Sequence, residues 1–132
     1  EEQIRYMLDT IYGPETLRSV MVSGDQKFIL LVDERRTMAF ASYGMKMNEP
    51  GVFKLHKLYV LPGSHGKGYG RALVEETSRR VKKAGGRFVD LNVNRDNPAI
   101  AFYEKLGFRI IRVEDVPIGP YWMNDYVMRR EA

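Results

Sequence analysis

A β-rich run, a glycine-dense loop and an amphipathic run follow one another without a break between residues 53 and 84. Phe53 to Leu61 is rich in β-formers and reads as a strand that Pro62 ends. The loop is Pro62-Gly63-Ser64-His65-Gly66-Lys67-Gly68-Tyr69-Gly70. Residues 70–84 carry Leu73, Val74, Thr77 and Val81 at helical spacing, and Gly85–Gly86 stops that helix. A strand, a tight turn and a helix in this order point to an α/β architecture. They also constrain the chemistry. Glycines let successive N–H groups turn toward one point, and a helix N-terminus adds positive potential there. Lys67 and Arg71 add charge, so a pyrophosphate is the natural guest. The same spacing also describes a turn whose glycines serve sharp geometry alone.

Two common glycine motifs are excluded. A dinucleotide fingerprint needs Gly-x-Gly-x-x-Gly, and here Gly66, Gly68 and Gly70 give Gly-x-Gly-x-Gly, with Arg71 where the third glycine belongs. Asp90, about twenty residues on, imitates the ribose-binding acid of that motif. A Walker loop needs Ser or Thr after Gly-Lys, and Gly66-Lys67 is followed by Gly68.

The rest of the chain has no repeat, low-complexity tract or linker. Ile4, Met7, Leu8 and Ile11 predict a helix over 2–12, and Pro14 opens a second to about Val22. Lys27 to Asp33 reads as a buried strand, and Thr37 to Tyr43 as its hairpin partner. Arg87 to Val93 predicts another strand and 94–97 a turn. Pro98 starts a helix carrying Ile100, Phe102, Tyr103 and Leu106, closed by Gly107. Phe108 to Val113 and Tyr121 to Arg129 are the last strand candidates.

Length and composition exclude several classes. With 132 residues and 44% hydrophobic side chains the chain can bury one real core. No apolar run approaches the ~20 residues of a membrane span. There is no cysteine, so disulfides, thiolate metal sites and a Cys nucleophile are out. His56 and His65 are the only histidines, which disfavours a His-rich metal site. Lack of cysteine also suits a reducing, cytoplasmic setting. The net charge of +4 invites an anionic partner, yet the basic residues are scattered, which argues against a nucleic-acid face. The chain begins with Glu1, so residue 1 is not expected to be the natural start of translation.

Two segments resemble the GNAT superfamily of acyl-CoA-dependent N-acetyltransferases. Leu58-Tyr59-Val60-Leu61-Pro62 followed by His65-Gly66-Lys67-Gly68-Tyr69-Gly70 is similar to its strand-end and Gln/Arg-x-x-Gly-x-Gly/Ala motif, with His65 in place of Gln or Arg. Asn97-Pro98-Ala99-Ile100-Ala101-Phe102-Tyr103-Glu104-Lys105-Leu106-Gly107-Phe108 is similar to its Tyr-Glu-Lys-x-Gly-Phe segment. The resemblance covers roughly residues 27–130. It implies a single domain over 1–132 with a mixed, mostly antiparallel, twisted sheet. Helices flank that sheet, and it splays at the acetyl-CoA site near Val60 and Leu91. The strand and helix with which members usually open are missing, so the resemblance implies a longer chain upstream or a truncated form.

The resemblance also implies roles. Leu58, Tyr59 and Val60 would offer backbone groups to the pantetheine and polarise the thioester carbonyl. Backbone N–H groups from Gly66 to Arg71, with His65 at the loop's start, would hold the pyrophosphate. Asn97, or Asn94, would contact the pantetheine arm, although Asn97 is also placed to cap the following helix. Tyr103 would protonate the departing thiolate, since a phenol with a pKa near 10 matches a comparably basic thiolate. His56, on one face of its strand with Leu58 and Val60, is either structural or a proton relay. Many members carry a Glu nearby, where this chain has Lys54, so the general base is unassigned. The tail from Ile118 to Arg130 is similar in layout to bacterial polyamine acetyltransferases, and Glu114, Asp115 and Asp125 would draw in a cationic amine. The implied activity is direct acetyl transfer from acetyl-CoA, without a metal, to the amine of a small molecule, polyamine or peptide. A non-catalytic acyl-CoA-binding module on the same fold is the alternative. Dimers are common in the family, so a homodimer is one expected state.

Overall fold

The structure, a computed structural model, describes residues 26–63 and 66–132, leaving aside the side chains of 116–118 and 121–123. The helices expected over 2–12 and 14–22, and His65, lie outside the described residues. β1 (Lys27–Asp33) and β2 (Arg36–Met45) form an antiparallel hairpin from Lys27↔Tyr43 to Asp33↔Arg36. Its two-residue turn puts Glu34 at φ 51° and Arg35 at φ 64°. Positive φ at both central residues is what a primed hairpin turn requires, here without the usual glycine. Residues other than glycine reach that region at a cost of roughly 1–2 kcal/mol each.

Four more strands and two helices follow. They are β3 (Val52–Val60), α1 (Tyr69–Lys83), β4 (Phe88–Asn94), α2 (Ala99–Lys105), β5 (Arg109–Ile118) and β6 (Tyr121–Glu131). The sheet is six-stranded with order β1-β2-β3-β4-β6-β5. Only the described β3–β4 ladder is parallel, from Val52↔Phe88 to Lys54↔Asp90. No described helix is long and apolar enough to cross a membrane.

The chain divides into two compact units, and β3 and α1 each pass through both. Among the described residues the first unit holds 26–45, 55–63 and 66–77. Its core is β2, buried from Ala39 to Gly44. Phe40 packs between Phe28 and Tyr59, with ring centroids 6.3 and 5.7 Å away. Leu73, Val74 and Thr77 form the buried stripe of α1 here, as their spacing predicts.

The second unit holds 46–54 and 78–132. β6 pairs antiparallel with β4 and with β5, and Val89, Leu91, Val93, Val127 and Met128 are buried. α1 ends in a Schellman motif. Gly85 has φ 88°, its N–H donates to Lys82 O, and the Gly86 N–H donates to Val81 O. A Cβ on Gly86 would lie 2.5 Å from Val81 Cγ1 and 2.8 Å from the Phe53 ring, so no side chain fits between helix and strand. Phe53 pairs with Val89, so α1 packs on that face of the sheet. The opposite face carries Asp90.

β5 runs five residues beyond the expected Val113. Glu114, Asp115 and Pro117 hide it from an apolar reading. An edge strand tolerates such residues because one side of its backbone has no ladder to fill.

Candidate active site

The glycine loop and the start of α1 belong to the first unit. Gly66 and Gly68 have φ 87° and 77°, which L side chains rarely adopt, and no heavy atom lies within 4 Å of where either Cβ would stand. The glycines are there for backbone direction, and the space around the turn is open. The first helical bond runs from Ala72 N to Gly68 O at 3.0 Å. The N–H groups of Tyr69, Gly70 and Arg71 therefore have no intrahelical acceptor. No acidic residue lies in the first turn. Lys67 and Arg71 are exposed, and no described carboxylate pairs with either. Orphan donors, the positive end of the helix dipole and two exposed cations thus occur together at the start of α1, a combination of the kind that suits an oxyanion. The Tyr69 hydroxyl donates to Asp33 Oδ2 at 2.6 Å, which pushes its pKa up and ties the helix start to the β1 hairpin.

Leu58, Tyr59 and Val60 close β3 and are partly buried. Among the described residues the β3–β4 pairing ends at Lys54↔Asp90, so these three lie beyond it. His56 is exposed. The Lys57 amine donates to Gln26 Oε1 at 2.7 Å, and burial pushes its pKa down.

Tyr103 belongs to the second unit. α2 ends in a second Schellman motif: Gly107 has φ 92°, its N–H donates to Glu104 O, and the Phe108 N–H donates to Tyr103 O. Such a motif brings the residue after the glycine against the helix's last turn. Phe108 accordingly meets Tyr103 edge-on at 5.7 Å, and Phe102 meets it at 5.2 Å. Burial pushes the Tyr103 phenol above its usual value of 10.0, so it stays protonated through neutral pH. The place of Phe108, one residue after a helix-closing glycine, is a sequence signal for this contact.

The two asparagines close the loop before α2. Asn94 Oδ1 accepts from Asp96 N at 2.9 Å, and Asn97 Oδ1 accepts from Ala99 N at 2.8 Å. The capping role open to Asn97 is thus occupied by its oxygen, and neither bond uses an amide NH2.

Asp90 is fully buried and structural. Arg129 Nε and Nη2 donate to its two oxygens at 2.7 and 3.0 Å, and Lys46 Nζ donates at 3.1 Å. Glu49 bridges Arg129 at 2.7 Å and Lys46 at 3.1 Å, and both hold its pKa below the usual carboxylate value. Its spacing from the glycine loop is a coincidence. A cleft of about 380 Å³ beside Phe88, Leu106 and Arg109 contains none of the sequence-predicted site residues. Among the described residues, no three His, Cys, Asp or Glu side chains are placed to hold a metal.

Residues 1–119 match the family model described as an acetyltransferase (GNAT) domain. An uncharacterized N-acetyltransferase of Mycobacterium bovis is 42% identical over 79 residues, 59% of this chain and 51% of that protein. The chain spans about half the length of the curated relatives it matches first. The N-acetyltransferase PaiA of Thermoplasma acidophilum, solved in complex with coenzyme A, superposes with a TM-score of 0.73 at 26% identity. That alignment covers 100% of this chain and 79% of the other. The aminoglycoside 6'-N-acetyltransferase of Enterococcus faecium shares the fold, with a TM-score of 0.77 at 19% identity over 98% of this chain and 89% of that one.

Proposed function

The chain belongs to the GNAT acetyltransferase family, and from that premise we propose that it transfers an acetyl group from acetyl-CoA directly to a primary amine. The observation that carries this reading is the cradle at the start of α1. Gly66 and Gly68 turn the backbone, three N–H groups are left without helical acceptors, and Lys67 and Arg71 stand unpaired among the described residues. That donor set fits a pyrophosphate, and a relative of the same fold was solved with coenzyme A. Acetyl-CoA supplies the acetyl group as a thioester.

The chain's own residues divide the remaining work. Backbone groups of Leu58 to Val60, beyond the β4-paired stretch, bind the pantetheine and polarise the thioester carbonyl, an oxyanion-type role. The NH2 groups of Asn94 and Asn97 offer donors to the pantetheine arm. The amine nitrogen attacks the carbonyl carbon, the new C–N bond forms and the C–S bond breaks. The Tyr103 hydroxyl gives its proton to the sulfur, and the nitrogen loses one to a base or a water chain. Neither cysteine nor metal is needed.

The test is thiol release from acetyl-CoA across a panel of primary amines. A cysteine-free protein contributes no thiol background. Amine-dependent release at a rate of about 1 s⁻¹ or more is the expected result. Coenzyme A binding without release for any amine would overturn catalysis and leave an acyl-CoA-binding module.

A further inference from the structure

Arg109 and Arg129, two like charges, stand directly opposite each other in the β5–β6 ladder. Asp90 is opposite Arg129 on the other side, so Asp90, Arg129 and Arg109 form one row across β4, β6 and β5. Residues opposed in this way share a face, and like charges there destabilise the sheet unless something neutralises them. Arg129 is neutralised. Its Nε and Nη2 donate to Asp90, and Nη2 also donates to Glu49 Oε2 at 2.7 Å. Arg109 is exposed, and no described carboxylate pairs with it.

The cleft of about 380 Å³ is lined by this guanidinium and lies within the second unit. Phe88 and Glu131 oppose each other two residues from Asp90 and Arg129, so they stand on the face that carries the arginine row. Phe88, Leu106 and Ile111 give the cleft its apolar walls. Ile111 is the residue that the β5 register skips between Ile110 and Arg112, and the bulge leaves it 42% exposed. No heavy atom lies within 4 Å of where a Cβ on Gly107 would stand, so the space over the end of α2 is open. A ligand-sized volume, apolar walls and a lining charge without a partner are the attributes of a small-molecule site.

We propose that this cleft binds a small amphipathic monocarboxylate, with the carboxylate on Arg109 and the apolar body between Phe88, Leu106 and Ile111. A guanidinium presents a planar fork of donors that matches a carboxylate in two parallel bonds. A negative group there also answers the opposition of Arg109 to Arg129. Glu131 lines the same cleft and lowers its positive potential, which favours one negative charge over a phosphate dianion. None of the lining residues is assigned to acetyl transfer, so this site and that activity stand or fall separately.

The experiment titrates three probes into the protein: 3-phenylpropionate, its neutral counterpart 3-phenylpropan-1-ol, and acetate, which has the charge without the apolar body. The expected result is saturable binding of 3-phenylpropionate, tighter than either of the others by about 10-fold or more, the size of one charge-assisted pair. Arg109→Gln removes the preference for the acid over the alcohol. Arg71→Gln, at the glycine loop, keeps it. The thermal midpoint of Arg109→Gln without ligand equals or exceeds that of the wild type, because no described partner is lost and the like-charge opposition is relieved. Saturating 3-phenylpropionate raises the midpoint of the wild type and leaves that of Arg109→Gln unchanged. Equal binding of 3-phenylpropionate and either comparison probe by the wild type overturns the proposal, whether or not the variant folds. So does a preference that survives in Arg109→Gln, or one that is lost in Arg71→Gln, which would put the carboxylate at the glycine loop.

Discussion

Tyr103→Phe lowers kcat by about 10²- to 10⁴-fold while the affinity for acetyl-CoA stays within a factor of two or so. The substitution removes one hydroxyl and keeps the ring. The edge-on contacts with Phe102 at 5.2 Å and Phe108 at 5.7 Å are made by ring carbons, so α2 keeps its Schellman end and the backbone stays in place. Only the hydroxyl, the proposed proton donor, is lost. The departing thiolate must then leave without a proton or take one from water. The pH dependence has a defined sign. Burial raises the Tyr103 pKa above 10.0, so the acid is present through neutral pH and is lost only as pH rises past that raised value. An activity limb belonging to Tyr103 therefore lies above pH 10. Steady-state kinetics of both proteins from pH 7 to 10.5 measures this. Full turnover by Tyr103→Phe would show that the proton comes from another group.

Asp90→Ala destabilises the fold by about 3 kcal/mol, the lower end of the range for breaking a buried ion pair. Asp90 is fully buried and meets Arg129 in a bidentate pair, with Lys46 on the same oxygen that takes the second guanidinium bond. Removing the carboxylate leaves two cations facing a void. The cost stays at the low end because Glu49 still pairs with both of them. Arg129 also lies 5.0 Å from the Phe88 ring centroid, which helps to hold the guanidinium in place. Asp90 pairs across the sheet with Lys54 on one side and Arg129 on the other, so the loss falls on the junction of β3, β4 and β6. Glu49 sets the acid side of this network. Its folded pKa is lowered from 4.5, so its pairing is complete above that value and disappears as pH falls through the lower folded one. Urea unfolding at pH 7 with an unchanged m-value and a lower midpoint is the expected observation. An unchanged midpoint would mean that the network adds no stability.

The features legible in the sequence are those set by local rules. Leu73, Val74, Thr77 and Val81 line the buried side of α1 because a helix repeats every 3.6 residues. Gly85 and Gly107 end helices because positive φ is needed there. Gly66 and Gly68 turn the loop for the same reason, so the turn before α1 is legible from its glycines. Tyr103 came from its motif, but its edge-on seat against Phe108 depends on the helix ending at Gly107. What was hidden is long-range. Asp90 and Arg129 are 39 residues apart in sequence, and only the β4–β6 register brings them opposite each other. Read locally, Asp90 imitates a ribose-binding acid. Glu114, Asp115 and Asp125 look alike in sequence. Pairing register separates them by putting partners on the first two and leaving Asp125 with a bare buried oxygen. The length of β5 was concealed by Pro117, which an edge strand tolerates and a central one does not.

The central claim is that the loop before α1 binds the pyrophosphate of acetyl-CoA. A calorimetric titration of this chain with acetyl-CoA, with adenosine as the control, tests it most directly. The account predicts saturable binding of acetyl-CoA in the micromolar range, weakened by salt because exposed Lys67 and Arg71 contribute, and no saturable heat with adenosine. No binding of acetyl-CoA, or equal binding of adenosine, would contradict it and reduce the glycines to a turn.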